Sequence, residues 1–164
     1  MEGDGKMDAA PKTIKGIVGN LADRLNAVGR TRLLVGIPED PSQADGVTNA
    51  RKLYENTVGS PLKRVPPRPV LEPAIEDGLE RISGIMREGI IKALEGDMES
   101  FRAAYDMAGL AAQSACVGWF DNPKNGWEPN SPYTVRMKGS NAPLIDTGEM
   151  RQSITYVVEE GGTA

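Results

Sequence analysis

A small α+β domain is what this sequence predicts, and three patterns predict it. Apolar residues recur at intervals of three and four in separate stretches, the mark of amphipathic helices. Two short stretches alternate instead, Arg32-Leu33-Leu34-Val35-Gly36-Ile37 and Ser153-Ile154-Thr155-Tyr156-Val157-Val158, the mark of strands. A segment dense in turn residues joins the last helical stretch to the second strand. The expected architecture is a small antiparallel or mixed sheet with an N-terminal helix and two longer central helices. A long loop then leads to a C-terminal strand. At 164 residues the chain suits one domain. Residues 1–12 read as a flexible arm, 13–158 as the domain and 159–164 as a frayed tail.

The elements follow in order. Ile14, Ile17, Leu21, Leu25 and Val28 share one helical face, and Gly29 is expected to end that helix. Leu33, Val35 and Ile37 share one strand face, closed by Pro38. Residues 41–46 read as a loop. Ala50 to Asn56 forms a short helix with Asn49 as its expected N-cap. Thr57 to Pro69 is a second loop, and its Val65-Pro66-Pro67-Arg68-Pro69 run should be stiff and extended. A polyproline ligand is one reading of that run. A rigid connector is the better one, because a helix starts at once.

That helix carries Ile75, Leu79, Ile82, Met86, Ile90 and Leu94, the longest apolar stripe in the chain. Its glycines Gly78, Gly84 and Gly89 make sense either as flexibility or as places where another backbone comes close. Gly96 breaks the pattern and Asp97 is an N-cap for a further helix over 98–117. There Phe101, Tyr105, Ala108, Ala112 and Ala115 lie on one face. Residues 118–150 show almost no periodicity. Their Trp, Phe and Tyr residues argue against disorder, so the segment is expected to be ordered by contact, within its own domain or with a neighbour. Ile154, Tyr156 and Val158 should share the inner face of the last strand.

Composition narrows the chemistry. There is no histidine, which removes Ser-His-Asp and Cys-His pairs and histidine metal sites. The single cysteine, Cys116, allows no intrachain disulfide and reads as a buried structural thiol, fitting assembly inside a cell. No cofactor or metal site is expected. A net charge of −4 argues against dedicated nucleic-acid binding. No apolar run reaches the length of a membrane span, and the N-terminus does not read as a signal peptide. Charge is uneven: a basic loop with Arg51, Lys52, Lys63, Arg64 and Arg68 precedes an acidic helix with Glu72, Glu76, Asp77, Glu80 and Glu88. These could be two solvated surfaces, or two surfaces that pair between subunits.

Asp146-Thr147-Gly148 is the tripeptide that carries the catalytic carboxylate of aspartic proteases. A single copy would need a homodimer, with two carboxylates sharing a proton. Only sixteen residues follow Gly148, too few for the flap and second sheet of such an enzyme. Glu149 adds a charge where a small residue belongs and would perturb the dyad. The economical reading is a turn, with Asp146 accepting backbone N–H groups and Gly148 supplying positive φ. The chain therefore reads as a non-enzyme.

A resemblance covers roughly residues 33–158. Trp127-Glu128-Pro129-Asn130-Ser131-Pro132-Tyr133-Thr134 through Lys138-Gly139, then Pro143-Leu144-Ile145-Asp146-Thr147-Gly148-Glu149-Met150-Arg151-Gln152-Ser153-Ile154, resembles the virion morphogenesis proteins of tailed phages, the tail-completion and head–tail joining proteins of the neck. Val35-Gly36-Ile37-Pro38 is similar to that family's early strand, and Val65-Pro66-Pro67-Arg68-Pro69-Val70-Leu71-Glu72-Pro73-Ala74-Ile75 to its helix entry. Val70 stands where an aromatic is usual and Glu72 where an Arg is common. The Tyr54-Glu55-Asn56 segment is similar to another family block, with its order changed.

The resemblance implies a structural protein of the virion neck, assembled in the host cytoplasm and working as a ring, commonly a hexamer. Its partners would be its own copies, other neck and tail proteins, and genomic DNA passing through a channel without specific binding. Tail terminator and head-completion stopper are alternatives of the same class. The residues expected to carry contacts or local architecture are Arg64, Pro66, Arg68 and Pro69, then Trp127, Pro129, Ser131, Pro132 and Lys138, then Asp146, Thr147, Gly148 and Arg151.

Overall fold

The computed structural model describes residues 14–38, 47–62, 64–139, 141–144 and 148–161, with side chains from residue 19 onward. The elements are α1 (Ile14–Arg30), β1 (Thr31–Gly36), α2 (Asn49–Val58), α3 (Leu71–Glu95), α4 (Met98–Trp119), a 3₁₀ turn (Pro123–Asn125), α5 (Pro132–Lys138), α6 (Glu149–Gln152) and β2 (Thr155–Glu160). Helices with one two-stranded antiparallel sheet make the α+β architecture that the sequence pattern predicts. The expected arm over 1–12 and the loop over 41–46 lie outside the described residues.

The centre is the antiparallel pair α3 and α4. Gly96 closes α3 at φ 102°, its N–H reaching Ala93 O. The next N–H, of Asp97, reaches back to Lys92 O at 2.9 Å, so two of the last carbonyls of α3 are satisfied. The Asp97 carboxylate then caps α4 by accepting from Ser100 N at 2.9 Å. The pair packs closely because small residues line it: Gly89, Ala93, Ala108 and Ala112 are all buried. A Cβ placed on Gly89 would sit 2.5 Å from the Ala104 Cβ. Gly84 has open space around it, so close approach accounts for one of these glycines and not the other.

This packing corrects the expected stripe of α3. Leu79 and Leu94 are 54% and 37% exposed. The other members of the stripe hold, with Ile82 buried and Ile75, Met86 and Ile90 packed against the core. Ala74, Gly89 and Ala93 are buried as well, because the close approach of the two helices needs small side chains. Phe101 and Tyr105, with ring centroids 4.6 Å apart, fill the end of the pair. Val28 of α1 and Val158 of β2 pack against them. Leu21 and Leu25 of α1 remain substantially exposed. Gly29 does not end α1, which runs through Arg30 directly into β1.

A two-stranded sheet is marginal alone and needs a helix behind it. Here α4 supplies the support. The strands pair Leu33 with Val158 and Val35 with Tyr156, setting the expected inner faces together. The Tyr156 ring lies on Gly109, whose added Cβ would meet it at 2.1 Å. Ile154 is fully buried just before β2. The strand extends through Glu160, and Gly161 N donates to Arg30 O at 3.2 Å, so Glu159 and Glu160 belong to the sheet and not to a frayed tail. Arg102 of α4 forms an ion pair with Glu160. Cys116 is buried, and burial pushes its thiol up to about 11, which keeps it neutral and unreactive in the folded chain.

Candidate functional site: a cationic cleft between α2, α5 and α6

The segment expected to lack regular structure contains α5 and α6, so that expectation is corrected. The signal was present. Ser131 accepts from Thr134 N at 3.2 Å as the N-cap of α5, and Pro132 occupies its first turn. Both residue types favour those positions, Pro because its fixed φ and missing N–H suit a helix start. Turn formers had masked a helix of two turns. Gly139, at φ 68°, closes it by donating to Val135 O at 2.9 Å. Gly148, at φ 80°, opens α6, so the residues after it form a helical turn before the strand.

The Pro-flanked Arg68 is the hinge pin of the site. Its backbone N–H donates to Asn56 O of α2 at 2.7 Å. Its guanidinium is buried, and Nη2 donates to Glu128 O at 2.8 Å and, at longer range, to Pro129 O at 3.5 Å. Alongside, the Trp127 indole N–H donates to Pro69 O at 3.1 Å, and the Trp127 ring stands edge-on to Phe120 at 5.8 Å. Two blocks some sixty residues apart are thus clasped by reciprocal side-chain-to-backbone bonds. Burial pulls the Arg68 pKa down, and the nearby Glu128 carboxylate opposes that shift. The cation is partly desolvated and, among the described residues, has carbonyl oxygens as its direct acceptors, an arrangement that costs free energy.

Arg68 lines a cleft of about 400 Å³ whose other walls are α2, α5 and α6. Asn49, Lys52 and Asn56 come from α2, Asn130 and Lys138 from the segment around α5, and Leu144, Gly148, Glu149 and Met150 from the α6 side. Among the described lining residues three cations stand with one carboxylate. The wall is held in place by Asn49, whose Nδ2 donates to Ser153 Oγ at 2.8 Å. Asn49 is therefore not the N-cap of α2. Thr48 takes that role, accepting from Arg51 N at 3.2 Å. Two buried donors on cleft-lining residues have no acceptor: Arg68 Nε and Asn130 Nδ2. Guanidinium, ammonium and amide groups suit the cleft to holding oxygen acceptors, carboxylates above all.

The sequence-predicted residues divide clearly. Arg68, Lys138 and Gly148 line the cleft. Trp127, Pro129, Pro69, Ser131 and Pro132 build its frame. Pro66 lies in the extended run before Arg68. Arg64 is exposed, at φ 54°, in a turn where its N–H donates to Pro61 O at 3.2 Å, and it does not line the cleft. Arg151 is likewise elsewhere, paired with Asp121 at 2.6 Å and set 5.9 Å from the Phe120 ring centre. Asp146 and Thr147 lie outside the described residues, between Leu144 and Gly148. Asn49, Lys52, Asn56 and Asn130 were missed as site residues, since a polar residue on a short helix carries no sign of the cleft it will face.

Among the described residues no three acidic, cysteine or histidine side chains gather as they would around a metal ion. Among them, too, no helix is long and apolar enough to cross a membrane. Comparisons with family models, with curated proteins and with solved structures find no match for the chain.

Proposed function

We propose that this chain is a structural protein of a tailed-phage virion, acting in the neck as a tail-completion or head–tail joining component and working as a ring. The observation that carries the reading is the convergence of its resembling blocks. The Pro-Arg-Pro run and the Trp-Glu-Pro run interlock through Arg68 and Trp127. Lys138 and Gly148, from the two segments of the last block, meet at the same cleft. Segments that resembled one family by chance would have no reason to assemble one site. Among the described residues the cleft offers groups suited to binding. Thr134, the hydroxyl on its wall, is bonded to Ser131 Oγ at 2.9 Å. In this role the acidic balance of the chain lets DNA pass without being held, since phosphate affinity comes from Lys and Arg.

The test is deletion of the gene from the phage that encodes it. The expected result is filled heads and finished tails that accumulate unjoined, with infectious titre lost. Overlong tails would instead mark a terminator and leaking heads a stopper. Normal titre would overturn the proposal.

A further inference from the structure

We infer that the cationic cleft and the outer face of α5 dock the acidic face of α3 from a second copy of this chain. The inference rests on the ring reading above and supplies the contact that a ring requires. It starts from what is unsatisfied on each side.

On the cleft side, Arg68 is buried with its Nε unpartnered, and Asn130 Nδ2 is in the same condition. Buried donors nearly always have acceptors, and the exceptions call for a cause. Beside the cleft, α5 turns Tyr133 and Met137 to solvent at 66% and 71% exposure. They are four residues apart, so they share one side of the helix. Lys138 follows directly and lines the cleft. Aromatic, Met and Arg side chains are the residues that protein interfaces favour.

On the α3 side, Glu72, Glu76 and Glu80 recur every fourth residue and are all exposed. None makes an ion pair among the described residues; the neighbouring Asp77 is already held by Lys124 at 2.6 Å. Like charges at this spacing weaken a helix. Leu79 stands among them, 54% exposed, although the apolar stripe of α3 includes it. An exposed leucine among these carboxylates matches an α5 face of Tyr133 and Met137 beside the unpartnered Arg68 Nε and Asn130 amide. Glutamate side chains from a helix ridge can enter a cleft of about 400 Å³. A nucleic-acid duplex is too wide for it, and the net charge of −4 repels one. Donor and acceptor surfaces differ, so the contact is heterologous, and repetition closes a ring when the rotation allows.

Charge exchange in the purified full chain tests this, read by sedimentation velocity with circular dichroism as the fold control. Lys138→Glu alone, and Glu76→Lys with Glu80→Lys, should each weaken self-association about tenfold or more, since like charges are then brought together. Combining them should restore most of it. Reversals that leave association unchanged, a combination that restores nothing, or a wild-type chain that stays monomeric at every concentration would each overturn the inference. The deletion experiment stands apart. Lost titre with a failed charge exchange removes this contact alone, whereas normal titre with a successful exchange removes the neck reading alone.

Discussion

In α3 and α4 the buried residues are glycines and alanines, with Ile82, Cys116 and the aromatics Phe101, Tyr105 and Trp119. Around α2, α5 and α6 they include Asn49 and Arg68. The first region meets almost entirely on side chains that pack, the exception being the Trp119 indole N–H at the end of α4, which is buried without an acceptor. The second takes polar groups out of water and leaves two of their donors without acceptors. Packing explains the first set of residues apart from that one indole N–H. It does not explain the second, because an apolar residue of similar size in place of Arg68 would avoid the cost of burying a cation. The contrast separates a region built by packing from one that also buries a charged and an amide side chain.

The largest effect should come from the packed region. Phe101 is 1% exposed, between α3, the end of α1 and β2. Phe101→Ala should cost about 3–5 kcal/mol, because the surroundings collapse only in part around the space left. Urea unfolding followed by circular dichroism measures it. A loss below about 1 kcal/mol would mean that the helical pair is not where stability resides.

A smaller and sharper effect lies in the glycines of α3. Gly89→Ala should destabilise by about 1–3 kcal/mol, because its new methyl meets the Ala104 methyl, with Phe101 O only 3.4 Å away. Gly84→Ala has open space and should stabilise by up to about 1 kcal/mol through helix propensity. Opposite signs in thermal unfolding would confirm that close approach is confined to the α4 side. Two stabilising changes would show that α3 and α4 can part without loss.

Much of this packed region was legible. The strands, the α3 and α4 spans, Asp97 as a cap and the burial of Cys116 follow from period and cap chemistry, which are local properties. The inward turn of Gly89 and Ala93, and the outward turn of Leu79, were not legible. They depend on which face meets α4, and that is decided by close approach across the pair. The cleft was legible in a different way. Arg68, Trp127 and Lys138 could be picked out one by one, but nothing in the chain between them encodes their meeting. Asn49 looked like a cap because asparagine caps helices well. Thr48, one residue earlier, does the same work and frees the amide to reach Ser153.

The smallest effect should separate the two regions most directly. Ser131 accepts from Thr134 N and bonds the Thr134 hydroxyl, starting a helix of only seven residues. So short a helix has little intrinsic stability, so its cap weighs heavily. Ser131→Ala should cost about 1 kcal/mol, and the loss should fall on α5 itself. Hydrogen exchange resolves this. Amides of Val135 to Gly139 should exchange several-fold faster, while those of Phe101 to Cys116 in α4 keep their protection. The reason is physical: α5 contributes no buried side chain to the core, so its opening takes no packing with it. If protection falls equally in α4, the cleft wall and the helical pair unfold as one unit. The polar groups around Arg68 would then be part of what holds the fold, and not a surface kept for a neighbour.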